Sequence, residues 1–155
     1  MTDYDRQEIR DRNIIKKYVC ENYLHITNPD YIKPTETNNR VDIYFTATTT
    51  NNKEVAYVGE IKERKYPLSN PNNKVTYWML QLDKLEELKK NKEHRPLYIN
   101  IFSNNIILVW DLNKLDFSNM EKKKMELKKT TLEDTGTKVK HYFDLPSNMA
   151  TLIKY

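Results

Sequence analysis

Two stretches of alternating residues around a short polar turn constrain the fold of this chain more than any other feature. In residues 41–48 apolar and polar side chains alternate, and residues 54–63 form a second strand pattern that begins apolar and ends in charge. Alternation with a period of two is typical of strands with one buried face. Residues 49–53, Thr-Thr-Asn-Asn-Lys, favour a turn. We therefore predict a β-hairpin.

The register of this hairpin decides which charged side chains share a face. Side chains alternate along a strand, so Glu60 and Lys62 share one face, and Asp42 points away from the aliphatic row of its own strand. A three-residue turn places Asp42 opposite Glu60 or opposite Lys62, whereas a two-residue turn directs it away from both unless a bulge intervenes. The sequence leaves these registers open. It also leaves open that Glu60 and Lys62 are only a strand end entering water.

Periodicity elsewhere predicts an α+β chain. Apolar residues at helical spacing predict helices over residues 3–23 and 75–90. Further strand patterns cover residues 24–27, 96–102, 106–111, 122–132 and 138–145, and Ser147 is expected to cap a short last helix up to residue 155. We expect a single domain, 1–155, with a core over about residues 4–111 and a C-terminal extension, 112–155, that holds a β-hairpin and the short helix.

Charge and cysteine content set bounds on the partners and the compartment. The 26 basic and 22 acidic residues give a net charge of +4, which permits a polyanionic partner but does not by itself indicate one. Cys20 is the only cysteine, so an internal disulfide is excluded and a reducing compartment is favoured. No apolar run approaches the roughly 18 residues that cross a bilayer. We expect a cytoplasmic protein without membrane contact.

The residue patterns that several common enzyme chemistries require are absent from this sequence. His25, His94 and His141 are scattered at no metal-ligand spacing, and Cys20 has no local redox or zinc partner. No glycine-rich phosphate loop is present. The sequence therefore argues against zinc, acyl-transfer and nucleoside-triphosphate chemistry.

Polar residues on the two predicted helices are further candidates for a site. Glu8 and Asp11 lie on the same side of the first helix, although acids near a helix start also stabilise its dipole. Gln81 falls on the inner side of the predicted second helix, near Trp78 and Leu85. A buried glutamine needs hydrogen-bond partners, so it is either satisfied structurally or faces a polar site.

The order of these features resembles the PD-(D/E)XK nuclease superfamily over about residues 4–102. The matching residues are Asp42 and the Glu60-Ile61-Lys62 triplet. The residue before the aspartate, often proline in that superfamily, is Val41 here. Residues 11–23 also look like the first helix of archaeal Holliday-junction resolvases, whose active-site glutamate lies near the start of that helix. Gln81 resembles a helix glutamine found in some branches, although the tyrosine four residues on is replaced by leucine.

The resemblance implies a restriction-endonuclease-like core, with a central mixed β-sheet flanked by helices, and a metal-dependent endonuclease or exonuclease acting on DNA. It implies Mg²⁺ or Mn²⁺ as cofactor, held by the Asp42 and Glu60 carboxylates and the Ile61 carbonyl, with Lys62 orienting the attacking water. Completion of the site is assigned narrowly to Glu8 rather than Asp11, with Gln81 beside it, and substrate contacts are assigned to Arg64 and Lys65.

Substrate and origin stay open at this point. The resolvase likeness suggests branched DNA and a homodimer with two active sites, but the fold serves many DNA reactions. A phage, a mobile element or a host are all compatible sources. Two alternatives also remain: a non-catalytic nucleic-acid- or protein-binding module on a nuclease-like fold, and an unrelated α+β domain in which the triplet is surface charge.

Overall fold

A computed structural model gives the structure of the chain and describes residues 2–24, 28–29, 33–34, 42–48, 51–69, 71, 74–128 and 136–155. The predicted strand over residues 24–27 falls outside these ranges apart from Leu24, which ends the first helix. The helices are α1 (Asp3–Ile14), which continues as a π-helical segment (Ile15–Tyr23), and α2 (Leu82–Lys89). The strands are β1 (Asn28–Pro29), β2 (Lys33–Pro34), β3 (Ile43–Thr48), β4 (Glu54–Glu63), β5 (Tyr77–Gln81), β6 (Arg95–Ile101), β7 (Ile106–Asp111), β8 (Lys123–Lys128), β9 (Thr137–Pro146) and β10 (Thr151–Lys154).

The main sheet contains five principal strands in the order β3-β4-β6-β7-β10, with the two-residue strands β1 and β2 paired to β3. β4 and β6 run parallel, and the other neighbouring principal strands are antiparallel. A parallel pair needs a crossover connection, and here it passes through β5 and α2. The predicted mixed sheet in an α+β chain is confirmed.

Two apolar clusters hold this sheet on its two faces. Val58 of β4 belongs to a cluster with Leu85 of α2 and with residues of β5 and β9. Tyr57, the next residue along β4, belongs to the other cluster with Ile15 and Val19 of the π-helical segment. Successive residues of one strand therefore face different layers, as the strand period requires. The sheet lies between the first helix on one face and α2 with a second sheet on the other.

The predicted helix over residues 75–90 is wrong in its first half. Tyr77–Gln81 is strand β5, and only Leu82–Lys89 is helical. β5 pairs antiparallel with β9, from Tyr77 opposite Pro146 to Gln81 opposite Tyr142, and β8 pairs with the other edge of β9. The predicted C-terminal hairpin is confirmed as β8 and β9, and it forms a three-stranded sheet with β5.

The predicted last helix is also wrong. Ser147–Met149 forms a single 3₁₀ turn, and Thr151–Lys154 is strand β10, which pairs with β7 of the main sheet. Ser147 is the first residue of this turn and caps no helix; its Oγ instead accepts a hydrogen bond from the backbone N–H of Thr76 at 2.9 Å. The C-terminal segment therefore contributes a strand to the main sheet.

In the part of the chain that the structure describes, no helix combines the length and the apolar character needed to span a membrane.

Candidate active site

The candidate site lies where β4 extends beyond the end of β3. The ladder ends with Ile43 opposite Gly59, and the N–H of Asp42 donates to the Gly59 carbonyl at 3.1 Å. Asp42 therefore stands opposite Glu60, which confirms one of the registers that the hairpin allowed. Two residues further along β4, the N–H of Ile61 donates to Asp42 Oδ2 at 2.7 Å. Asp42 is thereby fixed beside the strand that carries Glu60.

The carboxyl groups of Asp42 and Glu60 are in hydrogen-bond contact with each other. Burial, reinforced by the charge of Asp42, raises the pKa of Glu60 to about 7, although the Lys84 ammonium lies 3.4 Å from Glu60 Oε1. Burial also raises the pKa of Asp42, against the opposing hydrogen bond from the Ile61 N–H. Glu60 Oε2 is buried and has no hydrogen-bond partner among the described residues. A buried acceptor without a donor favours a cation or an added proton.

A second carboxyl pair joins α1 to the end of β4. Asp11 is 6% exposed and in hydrogen-bond contact with Glu63, and burial, with the charge of Glu63, raises the pKa of Asp11 to about 7. Arg10 Nη2 contacts both carboxylate oxygens of Glu63, at 3.2 and 3.3 Å. Asp11 Oδ1 is buried and without a hydrogen-bond partner in the described ranges. Glu63 was not predicted from the sequence as a site residue.

Glu8 occupies the same cleft one helical turn before Asp11. Its carboxylate is 3.5 Å from Arg12 Nη1 and forms a hydrogen bond with Tyr4, which raises the pKa of that tyrosine. The charge of Glu8 also raises the pKa of Asp42. Glu8 is thus electrostatically linked to Asp42, whereas Asp11 contacts Glu63, so the two acids of α1 face different carboxylates.

These groups enclose a cleft of about 330 Å³ between α1, α2 and the end of β4. Its lining brings together six residues that the sequence had singled out: Glu8, Asp11, Asp42, Glu60, Ile61 and Lys62. The remaining lining residues are Tyr4, Gln7, Arg12, Glu63 and Lys84. No protein-family model, curated protein or solved structure matches this chain.

Three sequence-predicted residues lie outside this cleft. Gln81 ends β5 and precedes α2, and it does not line the cleft. Arg64 and Lys65 line a neighbouring groove instead. Lys84 is a cleft residue that the sequence reasoning missed, because its position depends on α2 starting at Leu82 rather than seven residues earlier.

Lys62 lines the cleft, and its side chain is exposed. Its ammonium group has no hydrogen bond or ion pair with any residue in the described ranges, in contrast to Lys84, which is bound to Glu60. A lysine ammonium is a compact point charge on a flexible stem. Lys62 is therefore available to a ligand that enters the cleft.

The carboxylates and backbone of the cleft suit a small divalent cation. N–H and C=O of one strand residue point to the same side, and Gly59 and Ile61 both direct theirs toward β3 and Asp42. The Ile61 carbonyl is thus on the Asp42 side of β4. Among the described residues no three Asp, Glu, His or Cys side chains are grouped to hold a metal ion. Mg²⁺ is commonly bound by one or two carboxylates and several waters, so the Asp42–Glu60 pair is sufficient.

Proposed function

We propose that this protein is a metal-dependent nuclease of the PD-(D/E)XK type that hydrolyses phosphodiester bonds of DNA. One observation carries the proposal: Asp42 and Glu60, from adjacent strands, meet where β3 ends, and Lys62 follows on the same strand beside them. Paired carboxylates next to a lysine that binds none of the described residues suit an anionic substrate and a cation together.

The order of the elements supports a restriction-endonuclease-like core. A helix precedes an antiparallel hairpin, and a helix-containing crossover then leads to a strand parallel to the second hairpin strand. The acids and the lysine come from this hairpin, while α1 and α2 supply the remaining side chains of the cleft. The likeness is one of arrangement, and a shared arrangement does not by itself determine an activity.

Each residue has a chemical role in the proposed reaction. Mg²⁺ or Mn²⁺, when bound, would neutralise phosphate charge and acidify a water molecule. Asp42, Glu60 and the Ile61 carbonyl would hold the ion, because all three present hard oxygens on one side of β4. Lys62 would orient the attacking water and stabilise negative charge that develops on the phosphate. Glu8 would hold water around the ion, since its charge already interacts with that of Asp42.

The test is cleavage of plasmid, linear, single-stranded and branched DNA with Mg²⁺ or Mn²⁺. Wild type should cleave at least one of these, and Lys62→Ala and Glu60→Gln should each lower the rate by about two orders of magnitude or more. Lys114→Ala and Glu54→Gln are matched controls, because both residues are exposed and outside the cleft. If wild type and Lys62→Ala are equally inert on every substrate, hydrolysis is the wrong function.

A non-catalytic nucleic-acid-binding module is the second candidate, and the Lys84–Glu60 ion pair favours it. The Lys84 ammonium already provides a positive charge 3.4 Å from the carboxylate that the proposal assigns to the metal. Salt-dependent DNA binding that persists in Asp42→Asn, with no cleavage by wild type, would support this candidate. Calorimetric Mg²⁺ or Mn²⁺ binding that is lost in Asp42→Asn would instead support the nuclease.

The finer parts of the proposal are a branched DNA substrate, a homodimer and a cytoplasmic location. The resolvase-like first helix motivates the first two, and sedimentation of the protein with and without a four-way junction tests both. The buried free thiol of Cys20, whose pKa is raised to about 12 by burial, fits a reducing compartment.

A further inference from the structure

A second groove, of about 620 Å³, adjoins the candidate active site. It shares Gln7, Asp11 and Glu63 with the cleft and runs past α1 to the turn between β6 and β7. Four cationic residues line it: Arg6, Arg10, Arg64 and Lys65. Its acidic residues are Asp3, Asp11 and Glu63. The four cationic residues thus outnumber the three acidic ones along the groove.

The cations differ in how firmly they are held. Arg64 is fixed, because its Nε donates to Asn100 Oδ1 at 2.7 Å and its guanidinium lies 5.2 Å from the Trp78 ring centre. Arg10 is bound to Glu63 at the boundary with the cleft. Lys65 is exposed and makes no ion pair or hydrogen bond with the described residues. The groove thus combines one preorganised cation with one that is free to meet an anion.

An exposed aromatic residue, Tyr66, adjoins three residues that line this groove: Lys65, Phe102 and Ser103. Tyr66 follows Lys65, its carbonyl accepts the N–H of Ser103 at 3.2 Å, and its side chain is 47% exposed. The ring stacks on Trp78 with centroids 6.2 Å apart and planes 22° apart, and Trp78 packs edge-on against buried Phe102 at 4.8 Å. Tyr66 is therefore held by Trp78 on one face of its ring and by the edge contact with Phe102, while part of its surface stays open to solvent.

We propose that this groove binds single-stranded DNA and leads it to the cleft. A positive groove along the sugar-phosphate backbone, combined with aromatic side chains on which bases stack, is how proteins bind single strands without reading sequence. Arg64 and Lys65 contact phosphates, and Tyr66 stacks on a base that is free of its partner strand. A base inside a duplex cannot present its face in this way. The inference rests on the proposed nuclease function only for the direction of the strand, since the binding itself needs no metal.

The experiment is fluorescence anisotropy in EDTA with a labelled oligothymidylate of about 12 nucleotides and a duplex of equal length. Wild type should bind the single strand more tightly than the duplex. Tyr66→Ala should weaken single-strand binding by about 10-fold, whereas Tyr66→Phe should keep it. Tyr77→Ala is the matched control, because Tyr77 is 64% exposed on β5, outside the groove.

The salt dependence tests the phosphate contacts separately. The logarithm of the affinity for the single strand falls linearly with the logarithm of the salt concentration. In Lys65→Ala the slope of this line should be smaller in magnitude by about 0.7, the change expected when one phosphate contact is removed. Lys114→Ala, an exposed lysine outside the groove, should leave the slope unchanged. An unchanged slope in Lys65→Ala would contradict the assignment of the groove.

The outcomes separate this inference from the nuclease proposal. Single-strand binding that depends on Tyr66, without cleavage of any DNA, would support single-strand binding in the groove and contradict the nuclease proposal. Cleavage that depends on Lys62, with equal binding of both probes and no effect of Tyr66→Ala, would support the nuclease proposal and contradict single-strand binding in the groove. Tyr66-dependent binding of a duplex or of an acidic peptide such as polyglutamate, as tight as that of the single strand, also overturns the assignment to single-stranded DNA.

Discussion

Glu60→Gln should stabilise the folded protein above neutral pH. The pKa of Glu60 is raised from 4.5 to about 7, and its side chain is 14% exposed. The pKa of this carboxyl group is 4.5 in the unfolded chain and about 7 in the folded protein. Its contribution to stability is therefore complete below about pH 4.5 and is lost as pH rises through about 7. One pKa unit corresponds to about 1.36 kcal/mol, so holding Glu60 ionised costs about 3 kcal/mol. Glutamine has nearly the same shape and no charge.

Urea unfolding at about pH 5 and about pH 8, followed by the fluorescence of buried Trp110, measures this difference. The free energy of unfolding of Glu60→Gln minus that of wild type should be larger at about pH 8 than at about pH 5, by about 2–3 kcal/mol. Glu54→Gln, at the exposed start of the same strand, should follow wild type at both. If Glu60→Gln and wild type change in parallel with pH, the carboxyl group is not held in a buried, charged cluster and the reasoning fails.

Three further perturbations test the same region. A Cβ on Gly59 would come within 2.9 Å of buried Ile43 Cγ1, so Gly59→Ala should lower the free energy of unfolding by about 1–3 kcal/mol in urea denaturation. Mg²⁺ at about 100 times its dissociation constant should stabilise wild type by about 2.7 kcal/mol above neutral pH, and thermal unfolding of Asp42→Asn should show little of this gain. Lys84→Met removes an opposite charge from Glu60, so the pKa of Glu60 should rise further, as measured by carbon NMR of labelled glutamate side chains.

The contact between Asp42 and Glu60 at the centre of the site could be predicted from the local sequence. A hairpin joins two neighbouring strands through a short turn, so the alternation of each strand and the length of the turn reduced the registers to a few, and one of them put Asp42 opposite Glu60. The Ile61 N–H bond to Asp42 needs nothing beyond that register. The residues in these contacts are about twenty positions apart in the sequence. At that separation, the alternation of apolar residues and the turn residues largely determine which side chains meet.

The periphery of the site depended on pairings between distant segments. Trp78 and Leu82 show helical spacing, yet residues 77–81 pair with β9, more than sixty residues further along the chain, and that pairing overrides the local preference. Lys84 reaches the cleft only because α2 begins after this strand. The same reason accounts for β10: Ser147 resembles a helix cap, but the following residues complete the open edge of β7. Gln81, assigned to a helix, thus became the end of a strand outside the cleft.

The electrostatics of the cleft favour a ligand-binding role over a structural one. Two largely buried carboxyl pairs meet here, and burial raises the pKa of Glu60 and that of Asp11 to about 7. At neutral pH such pairs destabilise the fold relative to neutral side chains of the same shape, because their charges repel one another and are desolvated. Lys84 and Arg10 offset this only in part, since an oxygen of each pair is left buried without a donor among the described residues. A bound cation would relieve both the repulsion and the missing contacts, which is the electrostatic reason behind the proposed metal site.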